Sequence, residues 1–345
     1  MKGTKMGKYC IVEKNFVENH AGSKARNDIA QILIEHKWLP LTVHHSEEKG
    51  TLDKIRMIFI TWLDWNRVFR RMPKNSELLI QYPLAMYPKV STVAIPFLKK
   101  LKKKNVKLTF LIHDLDSLRG VHTNREREFL NTADVMIAHN QVMVEYLKKN
   151  GYSQKEIRSL NIFDYLLPHN KLPEKTGKKT QIVIAGNLKR EKAGYVYQLE
   201  RIEGGIEFHL YGPNYDGVMQ GKRVTYCGQF RPDELPEKLE GGFGLVWDGS
   251  DTKSCTGVFG EYMKYNNPHK TSLYLVSGLP VIIWEKAAMA KFIEDNQLGI
   301  AVASIDEIPM RLSQITEQDY KRMKTNVKNF QRQLSQGNML LAVIG

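Results

Sequence analysis

Short apolar runs alternate along the chain with stretches of helical spacing. Lys8–Glu13, Arg56–Thr61, Glu77–Gln81, Lys107–His113 and Asp134–Ala138 read as strands. A loop over Lys14–Ser23 follows the first of them. Lys24–Glu35, Thr92–Lys104, Arg125–Asn131 and Gln141–Asn150 read as helices. Strands alternating with helices predict a parallel sheet with crossover helices, an α/β architecture.

The alternation stops at Leu167–Thr180, a lysine-rich segment with two prolines, which reads as a linker. It restarts with strands at Gln181–Ala185, Glu207–Tyr211, Arg223–Cys227, Phe243–Trp247 and Pro280–Trp284, and a helix over Lys270–Val276. The first four of these strands run into Gly186, Gly212, Gly228 and Asp248-Gly249. In open α/β sheets ligands bind outside the carboxyl ends of the strands, and glycine lets them come close to the backbone. Two such halves predict a facing pair with a cleft: a first domain over 1–168, a second over 169–325 and a helical tail over 326–345. Thr316–Ser335 is a helical pattern rich in Lys, Arg and Gln, and a return of this tail to the first half is open. No internal repeat or low-complexity segment interrupts the pattern.

Composition narrows the classes. With 345 residues and 42% hydrophobic positions, the chain can bury real cores, which excludes disorder and fibrous repeats. Met57–Leu63 and Leu273–Trp284 fall short of the ~18 apolar residues of a membrane span. The second also holds Ser277, Gly278 and Pro280. No apolar stretch follows the basic start MKGTKMGKYC, so no signal peptide is expected. Cys10, Cys227 and Cys255 are too few and scattered for a disulfide framework or cysteine-based zinc site, and suit a reducing cytosol. The net charge of +14 calls for anionic partners: nucleotide phosphates, anionic lipid or nucleic acid.

Four stretches could carry chemistry. In His20–Arg26, Gly22 permits close approach, and Ser23 reads as the cap of a helix whose free N–H groups suit an anion. An ordinary capped helix start is the alternative. In Leu111–Gly120, Asp114-Leu115-Asp116 follows a strand. Such a pair can hold a divalent cation on a diphosphate, form a plain turn, or supply a general base, for which His113 also qualifies. In Ala185–Lys192, Gly186 turns the chain, and Lys189, Arg190 and Lys192 follow, a donor set for a diphosphate or a solvated basic loop. The densest stretch runs from Trp247-Asp248-Gly249 through Cys255–Lys270. There Asn266, Asn267, His269 and Lys270 meet a helix start, and Glu261 could accept from ribose hydroxyls. Separately, Phe97–Lys107 holds six lysines. It reads as a solvated helix face or as a patch for an anionic membrane. No zinc finger, RNP-like motif or aromatic platform supports nucleic acid as a partner.

AGSKAR at Ala21–Arg26, IHDLDSLRG at Ile112–Gly120, FDYL at Phe163–Leu166, AGNLKREK at Ala185–Lys192, LYGPNY at Leu210–Tyr215, GLVWDG at Gly244–Gly249 and the long block Cys255–Gly299 cover nearly the whole chain in order. They resemble bacterial β-1,6-galactofuranosyltransferases of O-antigen and capsule assembly, and the related glucosyltransferases of serine-rich adhesins. The form NNPHKTSLYL is closer to the galactofuranosyl members. The resemblance implies a GT-B fold of two Rossmann-like domains, with donor nucleotide mainly on the second and acceptor mainly on the first. It implies a UDP-sugar as substrate, no further cofactor and no essential metal. Donor contacts would fall on Arg190, Tyr211, Asn267 and Lys270, with Gly22 and Ser23 reaching across from the first domain. Asp114 and Asp116 then become base or turn, with His113 and Glu261 as other candidate bases, and Lys270 stabilises the leaving group.

The reading is a metal-independent transferase passing galactofuranose from its UDP-sugar to a glycan or lipid-linked saccharide. It would work in the cytoplasm, peripheral at the inner face of the membrane, with a homo-oligomer left open. One rival uses UDP-glucose or UDP-N-acetylglucosamine on an adhesin glycan. Another is a non-catalytic sugar-nucleotide-binding subunit.

Overall fold

The computed structural model describes residues 7–14, 21–44, 50–84, 88–120, 125–168 and 172–345. His20 and most of the loop before the first helix lie outside them. The chain divides into two units: Met1–Glu18 with Arg26–Leu160, and Asn19–Ala25 with Asn161–Gly345.

The first unit is built on β1 (Lys8–Lys14), β2 (Leu39–His44), β3 (Glu77–Tyr82), β4 (Lys107–Ile112), β5 (Val135–Ala138) and β6 (Glu156–Ser159). Their order is β2-β1-β3-β4-β5-β6, all parallel. Its helices are α1 (Ala21–Glu35), which belongs to this unit from Arg26 onward, α2 (Thr51–Arg71), α3 (Pro88–Ser91), α4 (Ala94–Lys103), α5 (Glu126–Asn131) and α6 (Gln141–Leu147). The central strands are apolar on both faces, as a parallel sheet covered by helices requires. Leu78, Ile80, Leu108, Phe110 and Met136 are buried with Trp65, Val68, Leu98 and Leu101 from α2 and α4.

Two expectations fail here. Arg56–Thr61 is not a strand but part of the 21-residue helix α2. Its buried positions, Thr61, Asp64, Trp65, Val68 and then Met72, recur at helical spacing. The apolar run MIFIT hides that period because α2 is apolar on its outer side too. Ser23 is not the cap of α1, because the helix begins at Ala21 and buries Ser23 within its first turn. Three strands also escape the sequence pattern. β2 starts with Leu-Pro, β6 is a short polar edge, and β12 (Gly299–Val302) has only four residues.

The second unit holds β7 (Gln181–Ala185), β8 (Glu207–Tyr211), β9 (Val224–Gly228), β10 (Phe243–Val246), β11 (Val281–Trp284) and β12. The order is β12-β11-β10-β7-β8-β9, again parallel. Strand order reverses between β7 and β10, the place where doubly wound sheets open a crevice. The helices are α7 (Arg190–Ala193), α8 (Leu235–Lys238), α9 (Gly257–Tyr262), α10 (His269–Val276), α11 (Ala290–Asp295), α12 (Ile308–Gln314), α13 (Glu317–Ser335) and α14 (Asn338–Ile344).

The tail is grouped with this unit. Gln331 Nε2, buried on α13, donates to the carbonyls of Val276 and Pro173 at 2.9 and 2.8 Å. The N–H groups of Met339 and Leu340 at the start of α14 donate to the Asp164 carboxylate at 3.0 and 2.8 Å. Among the described residues no helix is long and apolar enough to cross a membrane.

Candidate active site

The second unit brings several of the expected residues to one end of its sheet. At the end of β7 the chain turns at Gly186 (φ 141°), whose N–H donates to Tyr211 O at 2.9 Å. The next strand ends in Gly212 (φ 135°), packed so closely that an added Cβ would stand 1.9 Å from Gly186 O. An added Cβ at Gly186 would meet nothing within 4 Å, so that side of the turn is open to a ligand.

Helix α10 is tied to the same place. Tyr274 hydroxyl accepts from Ala185 N–H at 2.7 Å, and Ser272 Oγ donates to Phe163 O at 2.7 Å. At its first turn Lys270 Nζ donates to Trp247 O at 2.9 Å and to Asp248 Oδ1 at 2.8 Å. The pair is mostly buried, with 15% and 11% of the two side chains exposed. Two of the ammonium's three donors are thus used just beyond the end of β10. Around it lie buried polar atoms with no hydrogen-bond partner among the described residues: Asn266 Oδ1, both ring nitrogens of His269, and Thr271 Oγ1. Such atoms in a native fold mark room for water or a ligand group. Burial pushes the His269 imidazole down to about 3, with Lys24 adding to the effect, so it is neutral. It stacks on Tyr165 with ring centroids 5.1 Å apart, and Lys24 Nζ lies 4.9 Å from the centroid of the same Tyr165 ring.

Other expected contacts are placed differently. Arg190, at the start of α7, is exposed and grips Asp216 through Nε and Nη2 at 3.1 and 2.9 Å. Its guanidinium lies 3.8 Å over Tyr197, which heads a stack with Tyr215 and Tyr226. The same loop joins the Lys270 cluster, since Gly249 N–H donates to Lys192 O at 2.8 Å. Tyr211 is buried, and its hydroxyl accepts from Glu240 N–H at 3.1 Å, so it faces the interior. Asn267 is buried and donates to Asn161 O at 3.0 Å. Glu261 is exposed and pairs with Lys264 at 2.6 Å. Gly22 is exposed in the first turn of α1, beside the buried Ser23.

Asp114 and Asp116 stand at the carboxyl edge of the first sheet. Asp114 accepts from Arg119 at 3.1 Å. Asp116 opens a 3-10 turn, its N–H donating to Glu126 at 2.7 Å. His113 is held by Gln81 Oε1 at 2.7 Å. No cluster of three His, Cys, Asp or Glu groups suited to a metal occurs among the described residues. Sequence reasoning missed Asp248 as the partner of Lys270, and Tyr274 as the strut between α10 and β7. A carboxylate at a strand end beside the sheet's reversal point was the available signal for the first.

Two family models match consecutive parts of the chain: Glucosyltransferase 3-like, N-terminal domain over residues 8–171, and Glucosyltransferase 3-like, C-terminal domain over residues 182–344. The chain belongs to the glucosyltransferase 3-like family. It is a glycosyltransferase. It is 34% identical over 340 residues to the β-1,6-galactofuranosyltransferase WbbI of Escherichia coli (strain K12), covering 97% of each chain. It is 28% identical over 247 residues to Glucosyltransferase 3 of Streptococcus parasanguinis, covering 70% of this chain and 69% of that one. An α-glucosyltransferase solved with UDP and a 13-mer DNA superposes with a TM-score of 0.64 at 12% identity, over 98% of both chains. That likeness shows the GT-B fold expected from the sequence.

Proposed function

We propose that the protein transfers galactofuranose from its UDP-sugar to a hydroxyl of a surface glycan or lipid-linked saccharide. The observation that carries this reading is the 34% identity to a galactofuranosyltransferase along 97% of both chains. The nucleotide belongs to the second domain, 169–325, at the carboxyl ends of β7 and β10; the acceptor belongs to the first, 1–168, with 326–345 as the tail. As the bond to UDP breaks, the anomeric carbon gains oxocarbenium character and the β-phosphate gains charge. The spare donor of Lys270 and the first-turn N–H groups of α10 offset that charge. Arg190 joins them by exchanging Asp216 for phosphate, Gly186 and Gly22 admit the diphosphate to the backbone, and Ser23, Glu261 and Asn267 complete the donor contacts. Tyr211 supports them from beneath. If the reaction inverts, Asp114 or Asp116 takes the acceptor proton. The protein acts in the cytoplasm at the inner face of the membrane, where the basic first unit meets an anionic leaflet.

A thermal-shift and transfer panel with UDP-galactofuranose, UDP-glucose and UDP-N-acetylglucosamine tests the donor. The largest shift and turnover are expected with UDP-galactofuranose. A preference for UDP-glucose would favour the reading that the streptococcal relatives support. Binding without transfer to any acceptor would turn the protein into a carrier subunit. Because Lys270 and Arg190 supply cations for the diphosphate, EDTA should leave turnover within about twofold, a barrier change of ~0.4 kcal/mol. Collapse in EDTA with recovery in Mn²⁺ would return Asp114 and Asp116 to a metal role.

A further inference from the structure

The lysine run does not make a membrane patch by itself. Phe97, Leu98 and Leu101 of α4 are core residues, at most 5% exposed. Lys99 pairs with Glu128 and Lys102 with Asp134, and Lys104 donates to the carbonyls of Phe69 and Met72. Lys100 and Lys103 point outward. The apolar surface lies on the neighbouring helix instead. Leu52, Ile55, Phe59 and Trp62 of α2 are 83, 62, 61 and 46% exposed, and their spacing forms one stripe along the helix. Arg56, Arg70 and Arg71 are exposed beside or beyond it, while Arg67 pairs with Asp64 at 3.1 Å. Trp62 meets Phe97 edge-on at 6.3 Å, which sets the outer lysines of α4 at the border of the stripe.

We propose that α2 is an interfacial anchor: its stripe enters the headgroup boundary of an anionic bilayer, and Arg56, Arg70 and Arg71 with Lys100 and Lys103 hold the lipid phosphates. This rests on the membrane part of the reading above and names the surface that carries it. The side of α2 away from the stripe packs in the core, and the exposed stripe of Leu, Phe and Trp is flanked by cations, a combination that suits an anionic membrane interface. The charge selects lipid over a second copy of the chain. Two copies would bring the same excess of cations together, whereas an anionic leaflet complements both the stripe and the cations at once.

Trp62 makes a selective reporter, because Trp38, Trp65, Trp247 and Trp284 are buried. The full chain is titrated with phosphatidylcholine vesicles, with and without phosphatidylglycerol, at low and high salt. Binding is followed by tryptophan emission and by flotation. Anionic vesicles should shift the emission to the blue and carry the protein upward, with about tenfold weaker binding to neutral vesicles or in high salt. I55S/F59S should bind about tenfold more weakly or worse. K100E/K103E should lose the preference for phosphatidylglycerol. Both variants alter exposed side chains and should fold, which their unchanged thermal shift with UDP-sugar would report. Unmoved emission, equal binding to both vesicles, or unaltered binding by I55S/F59S would overturn the anchor. So would a concentration-dependent dimer in sedimentation equilibrium that I55S/F59S abolishes. Loss of the UDP-sugar shift in the unaltered chain would instead strike the transferase reading and leave the anchor standing.

Discussion

Arg26 in the first unit and Lys270 in the second occupy comparable places, each where the strand order of its sheet reverses. Arg26 donates to Glu13 at the end of β1, at 3.2 Å, and to the carbonyls of Gln81 and Pro83 at the end of β3. Gln81 returns a bond to Arg26 O at 3.1 Å. Burial pulls the guanidinium below its ordinary pKa, and Glu13 and Asp114 oppose that pull. The planar fork is used up in closing two strand ends of its own unit. Lys270 has one carboxylate, one carbonyl, partial exposure and unsatisfied polar neighbours. A buried cation with filled valences is a staple. The same kind of cation with a spare donor beside orphaned polar atoms is equipped to take an anion.

The comparison breaks if Arg26 proves dispensable. Arg26→Met leaves the Glu13 carboxylate buried without its guanidinium, and should cost about 3–5 kcal/mol in urea unfolding. Transfer per folded molecule should stay near that of the unaltered protein. Next in size is Lys270→Met, expected to lower kcat by roughly 10²–10³, or about 3–4 kcal/mol. It also strands Asp248, so the melting temperature should fall. Adding Asp248→Asn should restore the melt while leaving the rate low. Recovery of the rate in the double variant would make Lys270 a second staple.

The smallest effect concerns two buried histidines. Burial holds His269 of the second unit at about 3 and His139 of the first at about 4, against 6.5 for the unfolded chain. Between those values and 6.5 the unfolded state binds more protons, so stability falls as the pH is lowered from 6.5. At pH 5 each histidine should cost about 2 kcal/mol. His269→Phe should therefore lose less between pH 7 and pH 5 in chemical denaturation than the unaltered chain. An equal loss would mean that His269 is solvated or protonated in the fold.

Much of this was legible from local pattern. β1, β3, β4, β7, β8, β10 and β11 coincide with apolar runs, because strands buried on both faces need little tertiary context to declare themselves. The stretch from Cys255 to Lys270 was legible as a site because Asn, His and Lys gather where a loop meets a helix. α2 was misread for the reason that makes it interesting. A helix with apolar residues on its inner and outer sides has no clear period, and Met57–Thr61 then resembles a strand.

The sequence by itself determined the two-unit alternation, the turns at Gly186 and Gly212, and the family, since these rest on neighbours along the chain. Tertiary structure alone decided which charges are spent. Lys270 finds Asp248, 22 positions away along the chain, because α10 packs beside the end of β10. Lys99 and Lys102 find Glu128 and Asp134 across helix and strand, while Arg56 finds open water. A charge's role depends on its partner and its solvent, and both are set by which elements the fold brings side by side.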